Sequence, residues 1–65
     1  MKHTVSYRNL EGDIIKDKKF NTFQEAQEEH TARSASDKIL LNNIWYTCHY
    51  WRKIGSEFII GVREV

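Results

Sequence analysis

The feature that most constrains this chain is the segment Ile44–Ile54, which reads Ile-Trp-Tyr-Thr-Cys-His-Tyr-Trp-Arg-Lys-Ile. It contains both tryptophans and the only cysteine of the protein. Its β-branched and aromatic residues favour a strand. Because successive side chains of a strand point to opposite faces, both faces of this one carry aromatic rings. An exposed aromatic face is typical of a binding surface, so the segment predicts a protein that binds something.

Strict alternation divides this strand into two faces. The first face carries Ile44, Tyr46, Cys48, Tyr50, Arg52 and Ile54, and the second carries Trp45, Thr47, His49, Trp51 and Lys53. Free cysteine is among the most buried residue types, so we expect the first face to lie on the core and the second to be open. The alternative is a sheet that curls into a small barrel and buries both faces.

Alternation, turn residues and helix signals predict the other elements. We expect strands at residues 3–8, 14–20 and 57–64, a helix at about 23–33 and a short strand at 38–41. Thr22 and Glu25 fit a capping box at the start of the helix. For 38–41, a helical turn capped by Ser36 or Asp37 is the alternative. Two asparagines, Asn42 and Asn43, supply a tight turn before the long strand.

These elements predict a single α+β domain over residues 1–65. Its order is ββα followed by two or three strands, in a small antiparallel sheet of four to five strands with one helix packed on one face. Phe23 is the only large apolar residue on the inner side of the helix. We therefore expect the helix to cover only part of the sheet.

Three lysines, Lys16, Lys18 and Lys19, make the second strand basic. Lysines keep exposed edge strands from pairing with other chains, so an edge position is the first interpretation. Contact with nucleic-acid phosphates is the second interpretation. Ten basic residues against nine acidic ones give a net charge of +1. Dedicated nucleic-acid binders usually carry a larger basic excess, which favours the first interpretation.

The small size of the chain bears on its partners and its location. Sixty-five residues bury a marginal core, and one cysteine forms no internal disulfide, so we expect self-association to a dimer. The apolar runs are too short to span a bilayer, and no signal-peptide pattern follows Met1. We therefore expect no membrane partner and a cytoplasmic location.

Metal and catalytic chemistry find little support in the sequence. Cys48 and His49 are neighbours in a strand and point to opposite faces, so they do not easily share one ion. The other possible ligands are His3 and His30, and the sequence has no Cys-x-x-Cys or His-x-x-x-His spacing. Cys48 is the one candidate nucleophile, and a buried thiol is inert. The glycines are isolated, so there is no phosphate-binding loop. We expect a non-enzyme without cofactor or metal, and with no catalytic residues.

Two binding hypotheses remain, and the first is a small regulatory or accessory protein that binds another protein stoichiometrically. Its open face would bind through Trp45, His49 and Trp51, with Arg52 and Lys53 at the rim. The second hypothesis is single-stranded nucleic-acid binding, in which the aromatic rings stack on bases and a basic rim holds the backbone.

Overall fold

The computed structural model describes residues 3–36 and 38–65. Its elements are β1 (His3–Arg8), β2 (Ile14–Phe20), α1 (Phe23–Ser34), β3 (Ile39–Leu41), β4 (Ile44–Ile54) and β5 (Glu57–Glu64). Every predicted element is present within a residue or so of its predicted bounds. The segment before the asparagine turn is a strand rather than a helical turn. Ser36 and Asp37 were the candidate caps of that helical turn, and Asp37 lies outside the residues that the structure describes.

The sheet has five strands in the order β2-β1-β5-β4-β3. Three of its pairs are antiparallel, but β1 and β5 are parallel, so the sheet is mixed and the antiparallel prediction is wrong at this pair. β5 is buried on both faces from Phe58 to Val62, a pattern that suits a central strand. It therefore lies in the middle of the sheet, where β1 is its neighbour.

The core lies between α1 and the concave face of the sheet. Its buried side chains are Val5, Tyr7, Ala26, Ile39, Leu41, Tyr46, Phe58, Ile60 and Val62. From α1, only Ala26 and His30 are buried, and Phe23 packs its ring 5.5 Å from that of Phe58. The helix is thus the partial cover that its sequence predicts.

The turn between β3 and β4 closes one end of the sheet. Asn42 and Asn43 have φ angles of 51° and 66°, as a two-residue hairpin turn of type I′ requires. The Asn42 side-chain amide donates to the carbonyl of Ile15 at 3.3 Å. Since Ile15 belongs to β2, this bond brings the two edges of the sheet together, and the sheet curls. The convex face nevertheless keeps many side chains in water, so the curl is not a barrel with both faces buried.

A single carboxylate oxygen ties α1 to β1 and β2. Glu29 Oε2 accepts from the Tyr7 hydroxyl at 2.7 Å, from Lys18 Nζ at 2.8 Å and from Arg33 Nε at 3.2 Å. Burial opposes ionisation of Glu29, but these donors together outweigh it and hold its pKa below the ordinary value of 4.5. Burial, together with Glu29, raises the pKa of Tyr7. The four residues therefore act as one network, the Glu29 cluster.

Replacing Glu29 with glutamine should destabilise the fold. The change removes the charge that Lys18 and Arg33 face, so we expect Glu29→Gln to lower the free energy of unfolding by about 1–3 kcal/mol at pH 7. Urea denaturation measures this loss. Glu28→Gln is the matched control, because Glu28 is exposed and its one side-chain hydrogen bond within residues 3–36 and 38–65 is accepted from Gln24. A loss of the same size in both variants would contradict the role of the cluster.

The contribution of Glu29 should also depend on pH. Because its pKa is lower in the folded state, its stabilisation is complete above about 4.5 and is lost as the pH falls through the folded-state value. The difference in the free energy of unfolding between wild type and Glu29→Gln should therefore be smaller at pH 3 than at pH 7. Urea titrations at the two pH values measure it. An unchanged difference would show that Glu29 acts through packing alone.

Candidate functional site

A β-bulge divides β4 into two parts. Cys48 is opposite Val62 and Tyr50 is opposite Gly61, so His49 is an extra residue without a partner on β5. Such a residue reverses the alternation that follows it. The face assignment of the sequence analysis therefore holds before His49 and fails after it.

The bulge turns Trp51 and Lys53 toward α1. Their partners on β5 are Ile60 and Phe58, which both lie in the core. The Trp51 ring stands edge-on to His30 at 5.6 Å, and Lys53 Nζ lies 4.6 Å from the centre of the Phe23 ring. The prediction that these two residues share an open face with Trp45 is wrong. Trp51 is still 63% exposed, because it lies at the margin of the helix.

The same reversal places Tyr50 and Arg52 on the convex face, although both were predicted on the core face. The Tyr50 ring covers Gly61, where a Cβ atom would overlap it. The Arg52 guanidinium lies 5.9 Å from the centre of the Tyr50 ring, in cation–π geometry. Both side chains are exposed.

Trp45 lies on the convex face, as predicted, at a corner of the sheet. It pairs with Leu40 on β3, and its carbonyl accepts from the N–H of Val65 at 3.1 Å. All three side chains are at least half exposed. Together they form an apolar corner next to the free part of β4.

The outer edge of β4 is free over most of its length. β3 has 3 residues and pairs only with Ile44, Trp45 and Tyr46. From Thr47 to Ile54, no strand in residues 3–36 and 38–65 pairs with this side of β4. An unpaired edge offers its N–H and C=O groups to another strand.

The basic strand β2 is the other edge of the sheet, which confirms its predicted position. Its lysines do not form one surface. Lys18 is held by Glu29, while Lys16 and Lys19 pair with Tyr7 and Thr4 and so lie on opposite faces. The ammonium groups of Lys16 and Lys19 are exposed but separate, so β2 offers no continuous basic surface to phosphates.

A groove lies between the C-terminal half of α1 and β4. It has a volume of about 390 Å³, and its lining residues are His30, Thr31, Ser34, Ala35 and Trp51. This volume falls within the range of ligand sites. We name it the α1–β4 groove.

His30 is the polar group of this groove and is 6% exposed. Burial lowers its pKa, against the opposing effect of the Ile59 backbone carbonyl, so the ring is neutral at pH 7. Its Nε2 has no hydrogen-bond partner in the described part of the chain. The sequence analysis considered His30 only as a possible metal ligand, and its buried, unpartnered nitrogen is a finding of the structure.

The remaining reactive groups are sparse. Burial raises the pKa of the Cys48 thiol, which is therefore protonated at neutral pH and a weak nucleophile. Within residues 3–36 and 38–65, no three side chains of His, Cys, Asp or Glu lie together as metal ligands would. No helix in that part of the chain has the length and apolarity needed to cross a membrane.

Comparisons of the chain with protein-family models, with curated protein sequences and with solved structures found no match. The candidate site is therefore defined by the geometry of β4 and its surroundings.

The contact between Tyr50 and Gly61 can be tested by mutation. Gly61→Ala should lower the free energy of unfolding by about 1–3 kcal/mol, because the new methyl group displaces the Tyr50 ring. In a Tyr50→Ala background the same change should cost much less, since the ring is gone. Urea denaturation of the two single variants and the double variant gives the coupling energy. Equal costs in both backgrounds would show that another neighbour excludes the methyl group.

Proposed function

We propose that this chain is a non-enzymatic protein that binds another protein stoichiometrically along β4. The observation that carries the proposal is the free edge from Thr47 to Ile54, which lies between the apolar corner and the α1–β4 groove. Extended segments of partner proteins add to such edges through main-chain hydrogen bonds, and side-chain pockets give specificity. The expectation of a cytoplasmic location stays a prediction.

The side chains along this edge support protein binding. Trp51 is exposed on the groove side, and Trp45 and Tyr50 are exposed on the convex side. Trp, Tyr and Arg are the residue types that dominate interface energetics. His49 is exposed at the bulge, and Arg52 and Lys53 follow it. The predicted binding residues thus border one edge, from two sides, instead of sharing one face.

A second copy of the chain is one protein that could occupy this edge. The segment Thr47–Ile54 contains Arg52 and Lys53 and no acidic residue. Antiparallel pairing centred near Arg52 and Lys53, or parallel pairing in register, would place the cations of the two copies near each other, which is unfavourable. We therefore propose a different protein as the partner, and self-association remains the prediction that the small core suggests. Its measurement is the light-scattering mass at increasing concentration.

Charge reversal on β4 tests the proposal. The wild-type chain, immobilised and exposed to a lysate of the cell that makes it, should retain a partner at a 1:1 ratio by native mass spectrometry. The variant Arg52→Glu/Lys53→Glu should lose this partner, because both cations border the edge. The matched control is Lys16→Glu/Lys19→Glu, which changes two exposed cations on the distant strand β2.

Equal retention of the partner by both double variants would place the binding surface elsewhere. Urea denaturation of each variant is needed beside the capture experiment. This measurement distinguishes a variant that has lost the contact with the partner from one that no longer folds.

Single-stranded nucleic-acid binding is the second candidate, and the exposed Tyr50 ring beside Arg52 favours it. Bases stack on such rings while cations hold the phosphates. The scattered lysines of β2 and the net charge of +1 weigh against it.

Titration with mixed-sequence single-stranded DNA and RNA separates the two candidates. We expect tryptophan fluorescence to change little at low salt, because the lysines of β2 lie at the opposite edge of the sheet from Trp45 and Trp51. Acrylamide quenching serves as the control that both rings are accessible to water. Strong quenching by nucleic acid that weakens steeply with salt would place the second candidate first.

A further inference from the structure

The free part of β4, residues 47–54, would present different chemistry to the two faces of an added strand. β3 occupies the same edge of β4 farther back along the strand, so an added strand would continue the line of β3. On its concave side this strand would lie beside the α1–β4 groove. On its convex side it would lie beside the exposed side chains of Tyr50 and Arg52. Because its own side chains alternate between the faces, each face can be matched separately.

The hairpin that carries this edge is basic. From Lys38 to Ser56, a segment that contains β3 and β4, the sequence has three basic residues and no acidic one. Lys38 is exposed and directly precedes β3, whose first residue pairs with Tyr46, so it lies at the start of the free edge. The whole chain has a net charge of only +1, so the positive charge is concentrated in this hairpin. An acidic occupant is therefore favoured over a basic one.

The convex side of the edge carries a cation that an occupant can reach. Arg52 is exposed there, with its guanidinium 5.9 Å from the centre of the Tyr50 ring. It forms no ion pair with any residue in 3–36 and 38–65. Glu57 lies on the same face, opposite Ile54, but its carboxylate already accepts from Arg8 at 3.4 Å. A carboxylate on the convex side of the added strand would give Arg52 a partner.

The concave side of the edge is uncharged next to Trp51. The Trp51 ring is 63% exposed and borders the α1–β4 groove together with Ser34 and Ala35. The lining of this groove, within the described part of the chain, includes no Asp, Glu, Lys or Arg. The cation of the concave side, Lys53, lies farther along β4 with its Nζ 4.6 Å from the centre of the Phe23 ring. An apolar side chain opposite Trp51 would remove apolar surface of both partners from water, which is favourable.

We infer that the free edge of β4 takes an amphipathic extended segment of a partner protein, with acidic side chains on the convex side and apolar side chains on the concave side. Its main chain pairs with β4, a carboxylate pairs with Arg52, and an apolar side chain packs on Trp51 at the mouth of the groove. A polypeptide is the occupant because its alternating N–H and C=O groups match those of the edge. This inference rests on the proposed strand addition and specifies the chemistry of the strand.

Synthetic peptides test the inference on the intact chain. The probe is the acetylated and amidated peptide Thr-Glu-Val-Glu-Val-Glu-Thr, whose alternation places every glutamate on one face. The peptide Thr-Lys-Val-Lys-Val-Lys-Thr reverses its charge, and Thr-Glu-Glu-Val-Val-Glu-Thr keeps its composition but breaks the alternation. Backbone amide shifts of the ¹⁵N-labelled protein report binding along β4. At low salt we expect the probe to bind about fivefold more tightly than the lysine peptide, the effect of cross-strand charge pairs. It should also bind more tightly than the rearranged peptide.

Charge reversal on the protein supplies the matched control. In Arg52→Glu the convex cation becomes an anion, so the lysine peptide should bind more tightly than the probe. Arg52 is exposed, so the fold should tolerate this change. Lys53→Glu alters the net charge equally but on the concave side, and the probe should remain the tighter binder. Trp51→Ala should reduce the advantage of the probe over the rearranged peptide, because the apolar contact is lost.

The outcomes separate this inference from the proposed function. Equal binding of the probe and the lysine peptide, with shifts along β4, would overturn the acidic character of the segment and leave strand addition intact. Equal binding of the probe and the rearranged peptide would overturn the assignment of the two faces. An absence of β4 shifts with all three peptides at millimolar concentration would overturn strand addition itself. Shifts that grow with protein concentration alone would assign the edge to a second copy.

Discussion

Two hydrogen bonds accepted by Glu29 Oε2, from Tyr7 and from Lys18, tie the helix to the sheet. α1 buries only Ala26 and His30, so its apolar face alone would hold it weakly. The carboxylate adds donors from β1, through Tyr7, and from β2, through Lys18. Both strands lie on the same side of β5, away from β4. The helix is therefore held toward that side, and the C-terminal half of β4 is covered only at its concave margin, where Trp51 contacts His30 and Lys53 contacts Phe23.

The bulge at His49 then determines which side chains surround the uncovered edge. With regular alternation, Trp45 and Trp51 would lie on the same face, and that face would be strongly aromatic. The extra residue instead places Trp51 against α1 and Tyr50 on Gly61 across the sheet. Aromatic rings consequently border the edge from both sides. Bulges also twist a strand and are frequent beside functional sites, which agrees with its position between the apolar corner and the groove.

Local patterns were enough to predict the elements, because alternation, the Thr22 cap and the Asn42–Asn43 turn act over a few residues. Thr22 Oγ1 does accept from the Glu25 N–H, although the Glu25 carboxylate accepts from the Thr22 hydroxyl rather than from its N–H. The parallel pair could not be predicted, since alternation does not specify a neighbour. The bulge lacked a signal because no glycine or proline marks His49. No sequence pattern pointed to the role of Glu29, because its donors Tyr7 and Lys18 come from strands that are distant in the sequence.

The charges of the two sheet edges explain how an incomplete sheet can remain selective. An open edge is a risk, because any extended chain, including another copy, can pair with it. On β2 the lysines reduce this risk, and one of them also anchors α1. On β4, Arg52 and Lys53 would disfavour those pairings that set the cations of two copies side by side, and the same cations would favour an acidic strand as the occupant. Binding of such a strand would complete the sheet beside β4 and stabilise the fold by mass action. Under the proposed function, the charges of this edge would therefore discriminate among occupants, while the exposed rings would supply contact area to any of them.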